Sequence, residues 1–342
     1  MPGPESRPGP PAPAPQLLAP GDLLLGRYRV ARLVGEGGMG QIYAATHVEL
    51  DQQVAIKVLL PERAKDAEAV ERFLREARAV ALLKSAHVAR VFDVGTSDAG
   101  LPYMVMELLE GEDLASIIDR GGPLPYVVAG AAVLLACDAV AEAHATGVIH
   151  GDHKPENLFV TTRRDGAPLV KVLDFGISKV GGDPAVARKR GRIVTQDNVV
   201  LGSPGYMSPE QVKSSARVDE RSDVWSLGVT LYELLTCRDA FDGETMADVF
   251  VSILTGAPPP PSQLAPGVPP ELDAIVMRCL QKDPAARFQS VAELAQALSV
   301  LVPGSAASSG PGWGRHAAPR SSSLVARVTP SAFEPPPLSA VG

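Results

Sequence analysis

Hydrophobic and polar positions alternate along residues 28–60, where Val, Leu, Ile and Tyr are separated by glycine-rich breaks. A period of two is typical of strands in antiparallel hairpins, so this pattern predicts a small sheet. Over residues 64–83 the spacing becomes helical, with Val70, Phe73 and Ala77 on one face and Arg and Glu on the other. We therefore predict an amphipathic helix after the third strand.

Strand-like segments follow at residues 88–94 and 103–108, and from Asp113 onward the pattern is mainly helical. This order predicts an α+β protein in which a β-rich part precedes an α-rich part. The longest apolar stretch, residues 127–137, is interrupted by Asp138 and falls short of the roughly 20 residues that a membrane span needs. It predicts a buried helix and no membrane insertion.

The two ends of the chain differ in composition from its middle. Residues 1–20 are rich in proline, which lacks a backbone donor, and residues 303–342 are rich in Ser, Ala, Pro and Gly. Neither end offers enough large apolar side chains to offset the entropy of ordering. We expect a disordered leader and a disordered tail around one domain at residues 28–302.

Composition narrows the classes of function. The 342 residues are 45% hydrophobic, enough for a substantial core, and the net charge of −7 offers no broad basic surface for nucleic acid. Cys137, Cys237 and Cys279 lie far apart, which argues against a disulfide framework or a cysteine zinc site. The first residues lack the basic and apolar runs of a signal peptide, so we expect a cytoplasmic protein.

The first candidate site is the run GEGGMG at residues 35–40. Positions without side chains allow backbone N–H groups to approach phosphate oxygens closely. Such runs also occur in ordinary hairpins, and the same glycine spacing marks dinucleotide-binding folds. In those folds a helix follows the glycines, whereas residues 41–44 and 54–60 are strand-like here. This context disfavours a dinucleotide site.

A lysine and a glutamate form the second candidate. Lys57 ends the strand-like run VAIK, and Glu76 lies on the predicted amphipathic helix. By default such a lysine keeps its charge in solvent, and helix carboxylates are usually solvated. A lysine held by a glutamate would instead be aimed at the α- and β-phosphates of a nucleotide.

The most informative stretch is HGDHKPEN at residues 150–157, which places a carboxylate, a cation and an amide in one loop. It resembles the catalytic loop of protein kinases, and LDFG at residues 173–176 resembles the metal-binding motif that follows that loop. Further similar segments are GSPGYMSPE at 202–210, DVWSLG at 223–228 and DPAARF at 283–288. The resemblance covers about residues 28–300 and is strongest to bacterial serine/threonine kinases.

The resemblance implies a bilobal protein kinase fold, with an N-lobe at about residues 28–106, a hinge at 107–111 and a C-lobe at 112–302. It implies transfer of the γ-phosphoryl group of ATP to Ser or Thr hydroxyls of protein substrates. Mg²⁺ would be the metal, with Mn²⁺ as an alternative. Lys154 fits the serine/threonine pattern, because tyrosine kinases carry other residues at that position. Homodimerisation is left open.

Roles follow from the same resemblance. Asp152 would orient the substrate hydroxyl and accept its proton, Lys154 would neutralise the γ-phosphoryl group, and Asn157 and Asp174 would hold the metal. The implied catalytic residues are Lys57, Glu76, Asp152, Lys154, Asn157 and Asp174. The implied nucleotide-binding residues are Val34, Gly35, Gly37, Gly38, Gly40, Ile42, Ala55, Lys57, Met106, Glu107, Leu109 and Leu158, with Met106 as the gatekeeper.

Two structural roles are also implied by the resemblance. Glu210 and Arg287 would form a buried ion pair that braces the substrate-binding loop, and Asp223 would hold the backbone of the catalytic loop from below. Removing one partner of such a pair would leave an uncompensated buried charge.

The sequence departs from the family pattern in and near the catalytic loop. Gly151 replaces an arginine that would pair with a phosphorylated activation loop, which puts that mode of activation in doubt. His153 replaces an apolar residue, and we expect a hydrogen-bonded packing residue rather than a pH sensor. Ser203 stands where threonine is usual.

These departures leave a pseudokinase that binds nucleotide or partners as the alternative, and a small-molecule phosphotransferase as a third hypothesis. The complete catalytic set and the segment at 202–210 favour the protein kinase.

Overall fold

The computed structural model of the protein describes most of the predicted domain. The described residues are 16–163, 165–175, 204–213 and 218–302. The predicted tail and residues 1–15 of the predicted leader lie outside them, as does Ser203.

A six-stranded antiparallel sheet forms the first part of the described chain. Its strands are β1 (Leu23–Leu24), β2 (Tyr28–Glu36), β3 (Gly40–His47), β4 (Gln52–Leu59), β5 (Val91–Thr96) and β6 (Pro102–Glu107). They lie in the order β1-β2-β3-β4-β6-β5. The glycine-rich run therefore connects two strands, as its strand-like flanks predict, and does not lead into a helix.

Strand β4 is covered on both faces, which explains its nearly continuous apolar run. Val54, Ile56 and Val58 pack with Tyr43 and Tyr103 on one face of the sheet. The alternate positions of β4 point to the opposite face. That face is where the following helix packs and where Lys57 lies.

Two helices follow β4: α1 (Pro61–Ala64) and α2 (Ala67–Ala81). The predicted helix at 64–83 corresponds to α2, which begins three residues later because the side chain of Asp66 accepts the backbone N–H of Glu68 and caps the helix there. Phe73 and Ala77 of α2 pack against the sheet through Leu59 and Met104. Glu76, adjacent to Ala77, is thereby placed beside the same face of the sheet as Lys57.

The second part of the described chain is mainly helical and contains a small antiparallel sheet. The strands of that sheet are β7 (Gly111–Asp113), β8 (Leu158–Thr162) and β9 (Pro168–Val172). The helices are α3 (Leu114–Gly121), α4 (Tyr126–Ala145), α5 (Pro209–Lys213), α6 (Arg221–Thr236), α7 (Met246–Thr255), α8 (Pro270–Cys279) and α9 (Val291–Leu301). The predicted order, a β-rich part before an α-rich part, is confirmed.

Helix α4 is the core of the helical part. Among the described residues it is the one helix long and apolar enough to cross a membrane, but 67% of its apolar window is buried within the protein. It packs against α6, α9 and β9. The prediction that the longest apolar stretch is a buried helix is therefore confirmed.

The end of the predicted leader lies on the first sheet. Leu17 and Leu18 pack against its core, and the backbone N–H of Leu17 donates to Gln41 Oε1 at 3.0 Å and to the Tyr43 hydroxyl at 2.9 Å. The two leucines supply the apolar contact between this segment and the sheet. The chain therefore packs on the first sheet already at residues 17 and 18, within the predicted leader.

Candidate active site

The glycine-rich turn between β2 and β3 is closed by its own backbone. Gly37 N donates to Gly40 O at 3.0 Å, and a Cβ atom on Gly40 would lie 2.4 Å from Val58 O. A side chain at position 40 would therefore collide with the neighbouring strand, so glycine is required there. Gly37 and Gly38 are exposed, which leaves their backbone accessible to a phosphate.

Lys57 lies between two carboxylates. Its Nζ is 2.6 Å from Asp174 Oδ1 and 3.9 Å from Glu76 Oε1, so the predicted lysine–glutamate pair is brought together with a third residue. Burial opposes the charge of Lys57, but Asp174 and Glu76 outweigh burial and raise the pKa of the ammonium. Lys57 therefore carries its positive charge at neutral pH.

The two carboxylates differ in their environments. Burial raises the pKa of Glu76 above its ordinary value, against the opposing effect of Lys57. The charge of Lys57 lowers the pKa of Asp174, whose side chain is 51% exposed. Asp174 also has a φ of 47°, a left-handed conformation that is unusual outside glycine. An ionised, accessible carboxylate is thus held at the end of β9.

The candidate catalytic loop is fixed by hydrogen bonds within the loop and to the residue that follows β9. Asn157, in a short 3₁₀ turn at Pro155–Asn157, donates from Nδ2 to Asp152 O at 2.7 Å. Leu173 N donates to Asn157 O at 2.9 Å. These bonds place Asp152, Asn157 and Asp174 on connected backbone, as the order of their motifs predicts.

Asp223, on α6, supports the catalytic loop from beneath. Its carboxylate is fully buried and accepts the backbone N–H groups of His150 at 3.0 Å and Gly151 at 2.7 Å. Burial alone would raise the pKa of Asp223, but His153, His144 and His150 lower it below its ordinary value. The geometry agrees with the role that the resemblance implies for Asp223.

His153 is a buried packing residue, as predicted, but the predicted hydrogen bond is not formed within the described part of the chain. The imidazole is completely buried and stacks on His150 with ring centroids 3.9 Å apart. Neither ring nitrogen has a hydrogen-bond partner within the described residues, and Nε2 lies 3.5 Å from Asp223 Oδ1. The stacking position, rather than a hydrogen bond, holds this side chain, and burial lowers its pKa.

The candidate hinge joins the two parts of the protein. Met106 pairs with Ala55 across β4 and β6, so two predicted adenine-site residues are neighbours. Leu158 is fully buried at the start of β8, on the second sheet. Glu107 bonds through Oε2 to Lys171 Nζ at 2.7 Å. Sequence reasoning missed Lys171, although a lysine between Val170 and Val172 in an apolar strand is a detectable signal.

Glu210 and Arg287 form the predicted buried ion pair. Arg287 Nη1 and Nη2 donate to the two carboxylate oxygens at 2.7 and 2.8 Å, and Ser222 Oγ also donates to Glu210. Arg287 further donates to the backbone carbonyls of Gln281 and Arg221. Because the groups are buried and mutually bonded, removing one partner would cost about 3–5 kcal/mol.

The oxygen donors fit a magnesium ion that is shared with a nucleotide. Asp174 offers an ionised carboxylate, and the Asn157 amide, oriented by its bond to Asp152 O, offers a carbonyl oxygen. Within the described ranges, no group of three or more His, Cys, Asp or Glu side chains is arranged to hold a metal ion. Mg²⁺ is commonly held by one or two carboxylates together with substrate phosphates, so a small protein contribution is expected.

This bilobal arrangement and this set of residues define the class of the protein. The protein kinase domain family model matches residues 28–298, and the chain belongs to that family. It is 38% identical over 277 residues to the serine/threonine-protein kinase Pkn1 of Myxococcus xanthus, covering 81% of this chain and 38% of the relative.

Two further comparisons agree. The chain is 38% identical to the serine/threonine-protein kinase PknB of Mycobacterium leprae, over 78% of this chain and 42% of that protein. The crystal structure of the Mycobacterium tuberculosis PknI kinase domain superposes with a TM-score of 0.64 at 29% identity, covering 83% of this chain and 99% of that domain. The chain thus matches a whole kinase domain but spans about two-fifths of these two curated relatives.

Proposed function

We propose that the protein is a serine/threonine protein kinase that transfers the γ-phosphoryl group of ATP to hydroxyl groups of proteins. The observation that carries the proposal is the contact between Lys57 and Asp174. These residues are 117 positions apart, yet Nζ and Oδ1 are separated by 2.6 Å. A cation suited to nucleotide phosphates and a carboxylate suited to a metal ion are therefore in direct contact.

The protein's own residues would act mainly by positioning. Asp152 orients the substrate hydroxyl and accepts its proton, and Lys154 neutralises charge on the transferred group. Lys57 holds the nucleotide phosphates while Glu76 limits the movement of Lys57. Asn157 and Asp174 would hold Mg²⁺, which would compensate the negative charge of the phosphates. Mn²⁺ would fit the same oxygen donors.

The intact catalytic set favours this function over the pseudokinase alternative. Lys57, Glu76 and Asp174 are in contact, and Asp152 and Asn157 are joined by a hydrogen bond. The relatives named above are described as kinases. We further propose that the domain acts on cytoplasmic proteins, because ATP is available there. Homodimerisation is left open.

The test is incorporation of γ-labelled phosphate from ATP into a generic protein substrate in the presence of Mg²⁺. We expect Lys57→Met and Asp152→Asn each to lower the rate by at least about a hundredfold, because phosphate positioning or proton acceptance is lost. Lys84→Met, which removes an exposed lysine, is the matched control and should retain activity. Equal labelling by wild type and Asp152→Asn would exclude the proposal, and labelling of an aminoglycoside alone would favour the third hypothesis.

A further inference from the structure

Lys171 is a buried cation that none of the roles above uses. It lies in β9, is only 5% exposed, and donates from Nζ to Glu107 Oε2 at 2.7 Å and to Val88 O at 3.2 Å. A buried ammonium group is unfavourable unless it is paired and hydrogen-bonded. Both partners of Lys171 are therefore needed to keep the charged group at this position.

The first partner, Glu107, is the last residue of β6 and the first residue of the candidate hinge. Its Oε2 also accepts the backbone N–H of Arg90 at 3.3 Å. Its own backbone N–H donates to Arg90 O at 2.8 Å. Residue 107 is thus fixed through both its side chain and its backbone.

The second partner belongs to the connection between α2 and β5, which is also bound to β9. Val172 N donates to His87 O at 2.8 Å, and His87 Nδ1 contacts Val170 O at 2.7 Å. Val88 and Val172 form a parallel bridge. The connection therefore contacts β9 on one side and the hinge on the other, and Lys171 Nζ lies where the three segments meet.

We infer that Lys171 is a positioning residue for nucleotide binding, which fixes the hinge backbone relative to Asp174. The inference rests on the proposed function, since it assumes that the hinge binds adenine. Lys171 lies three residues before Asp174 on the same strand and loop. Its contact with Glu107 therefore sets the position of the base-binding backbone relative to the metal-binding carboxylate. Hydrogen bonds to a base depend on such preorganisation, because ordering the site during binding reduces affinity.

The experiment compares Lys171→Met with wild type. We expect the KM for ATP to rise about tenfold while kcat stays within about twofold, because ATP affinity falls but the residues around the transferred group are unchanged. The dissociation constant of a fluorescent ATP analogue, measured without phosphoryl transfer, should rise by a similar factor. The KM for the peptide substrate should not change. Lys84→Met is again the matched control, because its side chain is exposed.

A double-mutant cycle separates the ion pair from a general loss of packing. Glu107→Gln leaves Lys171 buried without its anionic partner, so the effect of Lys171→Met should be smaller in the Glu107→Gln background than in wild type. Lys171→Arg keeps the charge and should restore part of the nucleotide affinity. If Lys171→Met fails to fold, Glu107→Gln supplies the comparison, because it removes the ion pair and keeps the lysine. Unchanged affinity of this variant for the ATP analogue would count against the inference.

The outcomes distinguish this inference from the proposed function. If wild type binds the ATP analogue and Lys171→Met binds it equally well, the inference is wrong while the proposed function stands. A changed kcat at unchanged nucleotide affinity, in either direction, would assign Lys171 a different role. If wild type neither binds nucleotide nor transfers phosphate, the proposed function fails, and the inference fails with it.

Discussion

At the scale of single residues, the unusual feature is a group of histidines around one buried carboxylate. His144 Nε2 bonds Asp223 Oδ2 at 2.7 Å, and His150 and His153 stack beside the same side chain. Burial lowers the pKa of both His150 and His153 below the ordinary value of 6.5. These two rings are therefore neutral in the folded protein at a pH where the unfolded chain is already protonated.

This difference predicts an acid-sensitive stability. Because the folded-state pKa values are lowered, the unfolded state binds more protons, and stability is lost as pH falls below 6.5. Each histidine contributes a slope of about 1.4 kcal/mol per pH unit in that range. Asp223, whose pKa is also lowered, adds to the loss only below its ordinary value of 3.8. Urea unfolding at several pH values between these limits measures the slope.

His153→Leu is the variant that tests the assignment. Leucine restores an apolar side chain to a fully buried position, and we expect the slope below pH 6.5 to decrease by about 1.4 kcal/mol per pH unit. Stability at pH 8 should not fall, because His153 has no hydrogen-bond partner among the described residues. Parallel stability curves for wild type and variant would show that His153 does not titrate as argued.

From the sequence, residues that share a motif could be predicted to lie close together, whereas contacts that depend on strand register could not. The motifs located Asp152, Asn157 and Asp174, and the structure joins all three through neighbouring backbone. The contact of Lys171 with Glu107 spans 64 residues, and periodicity cannot identify a partner at that distance. A buried charge is visible in the sequence, but its partner is set by how β9 meets the hinge.

At the scale of elements, the first sheet depends on a segment that composition assigned to the leader. Residues 16–20, the end of that predicted leader, lie on the face formed by β2 and β3, where Gln41 and Tyr43 are completely buried. The Tyr43 hydroxyl accepts the backbone N–H groups of Leu17 and Leu18 and donates to Gln41 Oε1. Alternation predicted which strands form, but it could not show what covers the outer polar positions of β3.

Truncation from the N-terminus measures that contribution. A chain that begins at residue 16 should melt like the full chain, whereas one that begins at residue 23 should lose stability, because it uncovers Gln41 and Tyr43. Two partly buried leucines and their hydrogen bonds predict a loss of about 2–5 kcal/mol. Tyr43→Phe should reproduce part of this loss in the full chain. Identical melting of the two truncated chains would show that the segment contributes little to stability.

At the scale of the whole molecule, the residues that we propose for nucleotide binding come from both parts of the protein. Lys57 and Glu76 belong to the first sheet and its helix, and Asp174 follows β9 of the second sheet. The hinge and the Lys171–Glu107 pair connect the same two parts. ATP bound with Mg²⁺ would therefore contact both parts at once, and its binding free energy would add to the stability of the folded protein.

The last prediction is that Mg²⁺ increases the stabilisation that ATP gives to the folded protein. At a ligand concentration one hundred times Kd, binding adds about 2.7 kcal/mol, which raises Tm by several degrees in a domain of this size. Asp174→Asn removes the carboxylate charge that the metal requires, so its Tm should respond equally to ATP with Mg²⁺ and to ATP with EDTA. Lys57→Met should lower the affinity for ATP under both conditions, because in the proposed function the ammonium of Lys57 would contact phosphate whether or not a metal is present. Differential scanning fluorimetry of the three proteins gives these comparisons. A full Mg²⁺-dependent shift in Asp174→Asn would mean that the metal is held by other oxygens, and the assignment of Asp174 as its ligand would then be wrong.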